Sequence, residues 1–270
     1  MASGATVGVR NQESTVPRLN VLGVGVSATE PGTAVALISD WIANRTPRYV
    51  CVCGVHGIME SLDDPALRAV HNRAGLVTPD GMPLVWLGRL AGHREMRRVY
   101  GPDLLLACCA ESERRGWRHF FYGGGDGVAE LVAERLSARF PKMQVAGTYT
   151  PPFRALTDAE EAEVAQRIEA SRADIVWVGL STPKQERWMS AHVGRIAAPV
   201  LVGVGAAFDF HAGLKPQAPR WIQNCGLEWL FRLATEPRRL WRRYLKNNPR
   251  FLWHVARQGL GRASYERPSS

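Results

Sequence analysis

The chain has 270 residues, 46% of them hydrophobic, and its 34 Lys and Arg against 25 Asp and Glu give a net charge of +9 at pH 7. This size and apolar content suffice for one or two globular domains with a large core. No apolar run reaches the roughly 18–20 residues of a membrane-spanning helix, and residues 1–17, which lack the apolar segment of a secretory signal, are predicted to be disordered.

Short β-branched runs alternate with helical stretches in residues 18–225, which predicts an α/β catalytic domain with a doubly wound, mainly parallel, Rossmann-like sheet. We expect helices on both faces of this sheet and ligands at the carboxyl ends of its strands. The predicted strands are 20–26, 49–53, 118–123, 143–147, 174–179 and 199–205, and the predicted helices are 29–44, 65–73, 127–139, 158–171 and 184–192.

The cysteine pattern favours reduced core residues over disulfides or a metal site. The five cysteines are odd in number and lie in apolar surroundings, and no second Cys/His pair completes a zinc spacing with Cys51 and Cys53.

Asp80 lies in a Thr-Pro-Asp-Gly-Met-Pro segment, between Pro79 and Gly81. Asp-Gly is a common turn pair, so turn formation alone accounts for these residues. A rigid turn also fixes a carboxylate at a pocket rim, where a lone Asp without a nearby nucleophile suits general-base work on a hydroxyl. Both interpretations stay open on the local sequence.

A glycine-rich segment, FYGGGDG, runs from the strand at 118–123 into the next helix. Glycines such as Gly123 and Gly124 let backbone N–H groups approach a phosphate at a helix N-terminus. The segment fits the dinucleotide pattern GxGxxG poorly and the chain has no Walker A sequence, so a tight strand–helix turn is the alternative.

Two further strand ends combine polar and small residues. At 178–188, helix capping explains Ser181, Thr182 and Glu186. Lys184, however, lies in a first helical turn, where the helix dipole disfavours a cation unless it meets an anion. This position favours a ligand site that includes Gln185. At 203–213, Gly205 and the following alanines would permit close approach of a ligand.

The C-terminal segment carries most of the excess charge: residues 220–270 hold eleven Lys and Arg against three Asp and Glu. These cations are interleaved with Trp, Phe, Tyr and Leu, which predicts a basic, aromatic helical appendage at 226–262 that associates with an anionic membrane surface. Ordinary solvated helix charges with a packed aromatic stripe are the alternative. Pro249 is expected to break the helix near its middle, and 263–270 to be a disordered tail.

Taken in order, several segments resemble the WecB/TagA/CpsF family, the family 26 glycosyltransferases, over roughly residues 19–248. The most specific segments read VGLSTPKQERW, GVGAAFDFHAG and GLEWLFRLATEPRRLWRRYL, and the others are TPDGMP, GPDLL, FYGGGDGVAE, GTYTPPF and KPQAP.

This resemblance implies an inverting, metal-independent transferase that moves a sugar from a UDP-sugar onto a polyprenyl-diphosphate-linked saccharide in bacterial surface polysaccharide synthesis. It implies that Asp80 is the base and that Arg232, Arg239 and Arg242 hold phosphate charge. No cofactor or metal is expected. The implied location is the cytoplasmic face of the membrane, with an anionic inner leaflet as partner, no nucleic acid, and homo-oligomer formation left open. The expected substrate-binding residues are Gly54, His56, Gly81, Gly123, Gly124, Lys184, Gln185 and Gly205.

The chain departs from the family at the end of its second predicted strand. Many members carry Thr-x-Asn there to bind the donor sugar, and the corresponding positions are Val52 and Gly54. His56 is a candidate replacement. N-acetylmannosamine, its uronic acid, glucuronic acid and glucose therefore all stay open as donor sugars, and Arg98 or Lys184 would be the cation beside a uronate.

Two other function classes fit parts of the sequence. A nicotinamide-dependent oxidoreductase would use the GGGDG turn as its dinucleotide site. A nucleic-acid-binding module would use the basic, aromatic C-terminal segment on phosphates and bases.

Overall fold

The computed structural model describes residues 16–266, and its centre is a six-stranded, fully parallel sheet with strand order β4-β3-β8-β7-β5-β6. A separate antiparallel hairpin precedes the sheet. The hairpin strands are β1 (Arg18–Val21) and β2 (Val24–Ser27), and the sheet strands are β3 (Arg48–Cys53), β4 (Leu76–Pro79), β5 (Arg118–Gly123), β6 (Gln144–Tyr149), β7 (Ile175–Gly179) and β8 (Val200–Gly203).

Helices cover both faces of the sheet, as the sequence predicts. Successive residues of β7 alternate between two core clusters: Ile175 and Trp177 pack into one, and Val176 and Val178 into the other. The helices in the described part of the chain are α1 (Pro31–Ala43), α2 (Val55–Asp63), α3 (Pro65–Arg73), α4 (Met82–Leu90), α5 (Gly101–Arg115), α6 (Val128–Arg139), α7 (Asp158–Ser171), α8 (Lys184–His192), α9 (Ala207–His211), α10 (Arg220–Asn224), α11 (Glu228–Thr235) and α12 (Pro237–Gly259). The α/β doubly wound fold class is confirmed.

Local capping accounts for the helices whose limits the sequence predicts correctly. Asp64 accepts hydrogen bonds from the N–H groups of Ala66 and Leu67 at the start of α3, at 2.9 and 3.1 Å. Thr157 and Glu160 form a reciprocal capping box at the start of α7.

The expected first strand, 20–26, is wrong because the chain turns in its middle. Leu22 and Gly23 both have positive φ, 52° and 89°, and form the two-residue turn of the β1–β2 hairpin. The hairpin does not enter the main sheet. The sixth strand of the sheet is instead β4, a four-residue strand that the sequence analysis did not identify. The hairpin contacts this strand, because Ser27 accepts a hydrogen bond from the Val77 N–H at 3.1 Å.

The expected helix break at Pro249 is also wrong, because α12 continues through it. A proline inside a helix costs about 3 kcal/mol through its missing N–H and its steric clash. Packing on both sides of it offsets this cost: Asn247 and Phe251 are each 3% exposed, and Arg250 donates two hydrogen bonds to Asp63 of α2, at 2.9 and 2.6 Å.

The end of α12 and the residues that follow it contact the body. The Gln258 side chain bridges Leu22 N–H and Asn20 C=O of the hairpin, both at 3.1 Å, and the Tyr265 carbonyl accepts a hydrogen bond from the Asn20 side chain at 2.6 Å. Tyr265, in the segment expected to be a disordered tail, is therefore ordered by its contacts. The remainder of that tail, 267–270, and residues 1–15 lie outside the described residues. Within residues 16–266, every helix is too short or too polar to cross a bilayer.

Candidate functional site

A cavity of about 380 Å³ lies where four adjacent strands, β4, β3, β8 and β7, end. The sheet ends form its floor, while α11 and α12 cover it from the other side. Its size is within the usual range for small-molecule sites, and its position is that of ligands in parallel α/β sheets. Of the predicted catalytic and substrate-binding residues, those that line it are Gly54, His56, Asp80, Gly81, Gln185, Gly205, Arg232 and Arg239.

Asp80 follows β4 directly, and its backbone N–H donates to the Cys53 carbonyl of the neighbouring strand at 3.0 Å. Its side chain is 32% exposed. Burial raises the pKa of Asp80 to about 6, Arg98 opposes this rise, and Glu228 adds to it. A carboxyl group with a pKa near 6 is ionised at neutral pH and is a stronger base than an ordinary aspartate.

Arg98 holds the Asp80 turn against the C-terminal helices. Its guanidinium donates to the Asp80 backbone carbonyl and to the Glu228 carboxylate, and to the Gln223 side chain at 3.2 Å. It also lies 4.0 Å from the centre of the Tyr100 ring. Because the protein itself occupies these donors, Arg98 is placed to position the turn rather than to meet a uronate.

Arg232 and Arg239 bring positive charge to the cavity from α11 and α12. Both lie near Glu236, with nitrogen–oxygen distances of 3.9 and 2.6 Å, and Lys215 approaches the same carboxylate at 3.2 Å. The Arg232 side chain is 17% exposed, and its Nε is buried without a hydrogen-bond acceptor among the described residues. One carboxylate is therefore shared by three cations.

The structure separates Arg242 from this group. Arg242 is exposed on α12, with its guanidinium 5.2 Å from the Trp241 ring centre, and is not among the residues that line the cavity. The neighbouring Arg243 lines the cavity instead. The sequence analysis did not select Arg243, because the spacing taken from the family pattern falls on Arg242.

Gln185 lies buried at the start of α8, where the carboxylate of Glu186 determines its orientation. Glu186 Oε1 accepts hydrogen bonds from the Thr182 hydroxyl at 2.8 Å and from the Gln185 amide nitrogen at 3.0 Å. The amide nitrogen of Gln185 therefore faces Glu186. The Gln185 carbonyl oxygen is then left without a donor, near Gly205 at the cavity wall. A hydroxyl or N–H of a ligand can satisfy it.

His56 joins α2 to α12. Its Nδ1 accepts a hydrogen bond from the Asn247 side chain at 3.1 Å. Burial, and then the charges of Arg243 and Lys246, lower the pKa of His56 to about 4, so the ring is neutral at pH 7. Gly54 leaves open space beside the base candidate, because a Cβ there would lie 3.7 Å from Asp80 Oδ2.

Three of the proposed substrate-binding residues do not line the cavity. Gly123 is the last residue of β5, which lies beyond β7 in the sheet, and Gly124 follows it. A Cβ at Gly123 would come within 2.8 Å of the Gly179 backbone, and one at Gly124 within 2.9 Å of Val128. Close packing therefore explains these glycines without a ligand. Lys184 points to the exposed ring of Phe153, 5.1 Å away.

Within the described residues, no group of three His, Cys, Asp or Glu side chains is arranged to hold a metal ion. Cys51 and Cys53 are buried in the core with free thiols.

Comparison with known proteins shows to which family the chain is similar. The model of the WecG/TagA/CpsF glycosyl transferase family matches residues 19–265. The chain belongs to this family. The match spans the sheet, the cavity and both C-terminal helices rather than an isolated motif.

Two relatives show the level of similarity. A protein of Bacillus spizizenii is 33% identical over 186 residues, covering 69% of this chain and 70% of its own length. A protein of Staphylococcus aureus is 25% identical over 248 residues, covering 91% and 95%. Both are named N-acetylglucosaminyldiphosphoundecaprenol N-acetyl-beta-D-mannosaminyltransferase. The protein is accordingly a glycosyltransferase rather than an oxidoreductase or a nucleic-acid-binding module.

Proposed function

We propose that this glycosyltransferase moves a hexose from a UDP-sugar onto a saccharide carried by a polyprenyl diphosphate, with inversion and without a metal ion. The observation that carries the proposal is that one cavity combines a single carboxylate of raised pKa, Asp80, with two arginines, Arg232 and Arg239, that share one acidic partner.

Asp80 is the general base of this reaction. An inverting displacement needs one group to take the proton of the attacking hydroxyl as the new glycosidic bond forms, and the activated donor supplies its own leaving group. One carboxylate is therefore sufficient. The open space beside Asp80 at Gly54 gives an acceptor hydroxyl room to approach.

The arginines of α11 and α12 stabilise the departing diphosphate. Negative charge builds up on the nucleoside diphosphate as its bond to the sugar breaks, and guanidinium groups match phosphate oxygens through paired N–H donors. The cations are fixed in place before the reaction because Glu236 holds Arg239 through two short contacts, at 2.7 and 2.6 Å. No divalent ion is then required for this charge.

The lipid-linked acceptor explains the surface of the C-terminal helices. Exposed apolar residues on α11 and α12 lie next to exposed cations, a composition that suits the boundary between water and an anionic leaflet. Each basic residue near such a surface contributes about 1 kcal/mol. We place the enzyme on the inner face of the cytoplasmic membrane by this surface, whose apolar members are Leu230, Trp241, Leu245, Leu252 and Trp253.

The names of the relatives give N-acetylmannosamine as the first sugar to test and N-acetylglucosamine on undecaprenyl diphosphate as the first acceptor. With the proposed UDP leaving group, the first donor to test is UDP-N-acetylmannosamine. Because Gly54 stands where many members have Asn, UDP-glucose, UDP-glucuronic acid and UDP-N-acetylmannosaminuronic acid belong in the same panel.

The test is mass spectrometry of the products formed from each donor with a short-chain lipid-diphosphate acceptor, with and without EDTA. We expect one donor to add a single hexose to the acceptor at a rate that EDTA leaves unchanged. NMR of the product should show the anomeric configuration opposite to that of the donor. The absence of product with every UDP-sugar would refute the donor class, and loss of turnover in EDTA would refute the metal-free mechanism.

A further inference from the structure

Two adjacent arginines of α12, Arg242 and Arg243, have opposite surroundings. Successive residues of an α-helix are rotated by about 100°, so only one of two neighbours can face a given side. Arg242 is exposed and its guanidinium contacts the Trp241 ring, whereas Arg243 is partly buried and lines the cavity together with Arg232 and Arg239.

Arg243 has an incomplete set of partners. Its Nε is buried without a hydrogen-bond acceptor, and no carboxylate within residues 16–266 lies within 4 Å of its guanidinium. Its closest aromatic contact is the ring of Tyr244, 5.3 Å from the guanidinium carbon. A partly buried cation without a counter-charge is costly unless a ligand supplies one.

The neighbours of Arg243 add positive charge rather than a counter-charge. Burial lowers the pKa of Arg243, Tyr244 opposes that shift, and the charges of Arg232 and Arg239 add to it. Glu236, the acid that pairs with these two arginines, is also shared with Lys215. The His56 ring facing this side is neutral at pH 7. Four arginines line the cavity against two acids, Asp80 and Glu228, so the cavity carries a local excess of positive charge.

We propose that Arg243, in place of Arg242, is the third arginine of the cavity and binds a diphosphate group of the substrates. This inference rests on the proposed function and refines it: Arg232, Arg239 and Arg243 form one anion site. The diphosphate belongs either to the nucleotide of the donor or to the lipid carrier of the acceptor, since both present the same doubly charged, oxygen-rich group to a guanidinium fork.

The test compares the full-length Arg242→Ala, Arg243→Ala and Arg243→Lys variants. The two alanine variants make the same change in charge on neighbouring residues of one helix, so their difference reports position alone. Steady-state kinetics use UDP-N-acetylmannosamine and a short-chain lipid-diphosphate acceptor in solution, without vesicles. Calorimetry measures binding of UDP and of inorganic pyrophosphate, and thermal melting verifies the fold of each variant.

We expect Arg243→Ala to lower kcat/KM about 100-fold, the usual cost of removing one donor that stabilises developing charge. Arg243→Lys keeps the charge but not the paired donors and should recover part of that loss. Arg242→Ala should change kcat/KM by less than about threefold, because its side chain lies outside the cavity. Weaker UDP binding in Arg243→Ala would assign the contact to the donor, and an increased KM for the lipid acceptor with unchanged UDP binding would assign it to the carrier.

Equal losses in the two alanine variants, or a larger loss in Arg242→Ala, would overturn the assignment, as would an Arg243→Ala variant within threefold of the wild type. Pyrophosphate binding separates this inference from the proposed function. If the wild type forms no product with any donor, the function fails, yet Arg243→Ala must still bind pyrophosphate at least tenfold more weakly than Arg242→Ala. Equal pyrophosphate affinities would reject the site whatever the activity.

Discussion

The two sides of the cavity are built in different ways. The sheet side consists of residues that follow rigid strands, and its key groups are fixed by hydrogen bonds: Asp80 through the Cys53 carbonyl and Gln185 through Glu186. The helix side contributes cations from α11 and α12, and α11 has no fully buried residue. The base is thus held by the core, while the positive charge is held by surface helices that cover it.

Specific polar contacts join these two sides. Arg98 of the sheet side donates to Glu228 at the start of α11, and His56 accepts from Asn247 of α12. A bidentate pair between Arg250 and Asp63 fixes α12 further along. This difference indicates that proton transfer by the sheet side and charge stabilisation by the helix side can be altered separately. The linking contacts set the position of the arginines relative to Asp80.

The largest effect is expected for Asp80→Asn on the sheet side. Asparagine keeps the shape of the turn but cannot take a proton, so kcat should fall about 10³-fold, within the range for loss of a general base. UDP binding should stay within about threefold, because the helix side is unchanged. Asp103→Asn, which removes an exposed pair with Arg220, is the matched control. Near-normal turnover of Asp80→Asn would remove Asp80 from the role of base.

On the helix side, Arg232→Ala should weaken the UDP binding that Asp80→Asn leaves nearly unchanged. Loss of one charge-stabilising donor should lower kcat/KM about 100-fold and weaken UDP binding, while the pH dependence keeps its form. The control is Arg167→Ala, which removes an exposed arginine of α7 that contacts Glu163 and the Tyr149 ring, outside the cavity. Unchanged UDP affinity together with unchanged kcat in Arg232→Ala would contradict the division between the two sides.

The pH dependence follows from the raised pKa of Asp80. The base must be ionised, so kcat/KM should fall tenfold for each unit below about pH 6 and level off above it. The stability of the folded protein changes with pH in the opposite direction to the activity. Because the folded pKa exceeds the usual value of 3.8, stability is greatest below about pH 4 for this group and decreases as the pH rises to 6. Asp80→Asn should abolish this decrease, and a kcat/KM midpoint near 4 would show that burial does not tune Asp80.

The smallest change is expected for Glu228→Gln, which loosens the contact between the sides. Glu228 raises the pKa of Asp80, and its removal also frees Arg98 to approach that carboxylate, so the activity midpoint should move below pH 6. The free energy of unfolding should fall by about 1–3 kcal/mol through the lost hydrogen bond. Glu160→Gln, remote and exposed, should leave the midpoint in place. An unchanged midpoint in Glu228→Gln would show that the two sides are not coupled through Arg98.

The sequence predicts those parts of the fold that local signals determine. β5, α3, α7 and α8 have the limits predicted from the sequence, and capping side chains account for the starts of α3 and α7. The hairpin turn at Leu22 and Gly23 escapes detection because a buried leucine with positive φ has no sequence signature. The helix through Pro249 escapes it because distant packing, not local propensity, holds α12 together.

The candidate site likewise contains residues that the sequence predicts and contacts that it does not. Asp80 is found because it lies in a Pro-Asp-Gly turn, and Gln185 because it follows a recognisable strand end. Arg98 and Glu228 are 130 positions apart, so no local pattern indicates their contact. The choice between Arg242 and Arg243 depends on the rotation of α12, which only its packing against the body determines.

The most direct measurement is a crystal structure of the full-length enzyme with UDP. The account predicts that the diphosphate lies between the sheet and the helices, with its oxygens within hydrogen-bond distance of Arg232 and Arg239 and on the same side of the cavity as the Asp80 carboxylate. A diphosphate bound instead at the glycine turn 123–127, with these arginines directed away from it, would contradict the account.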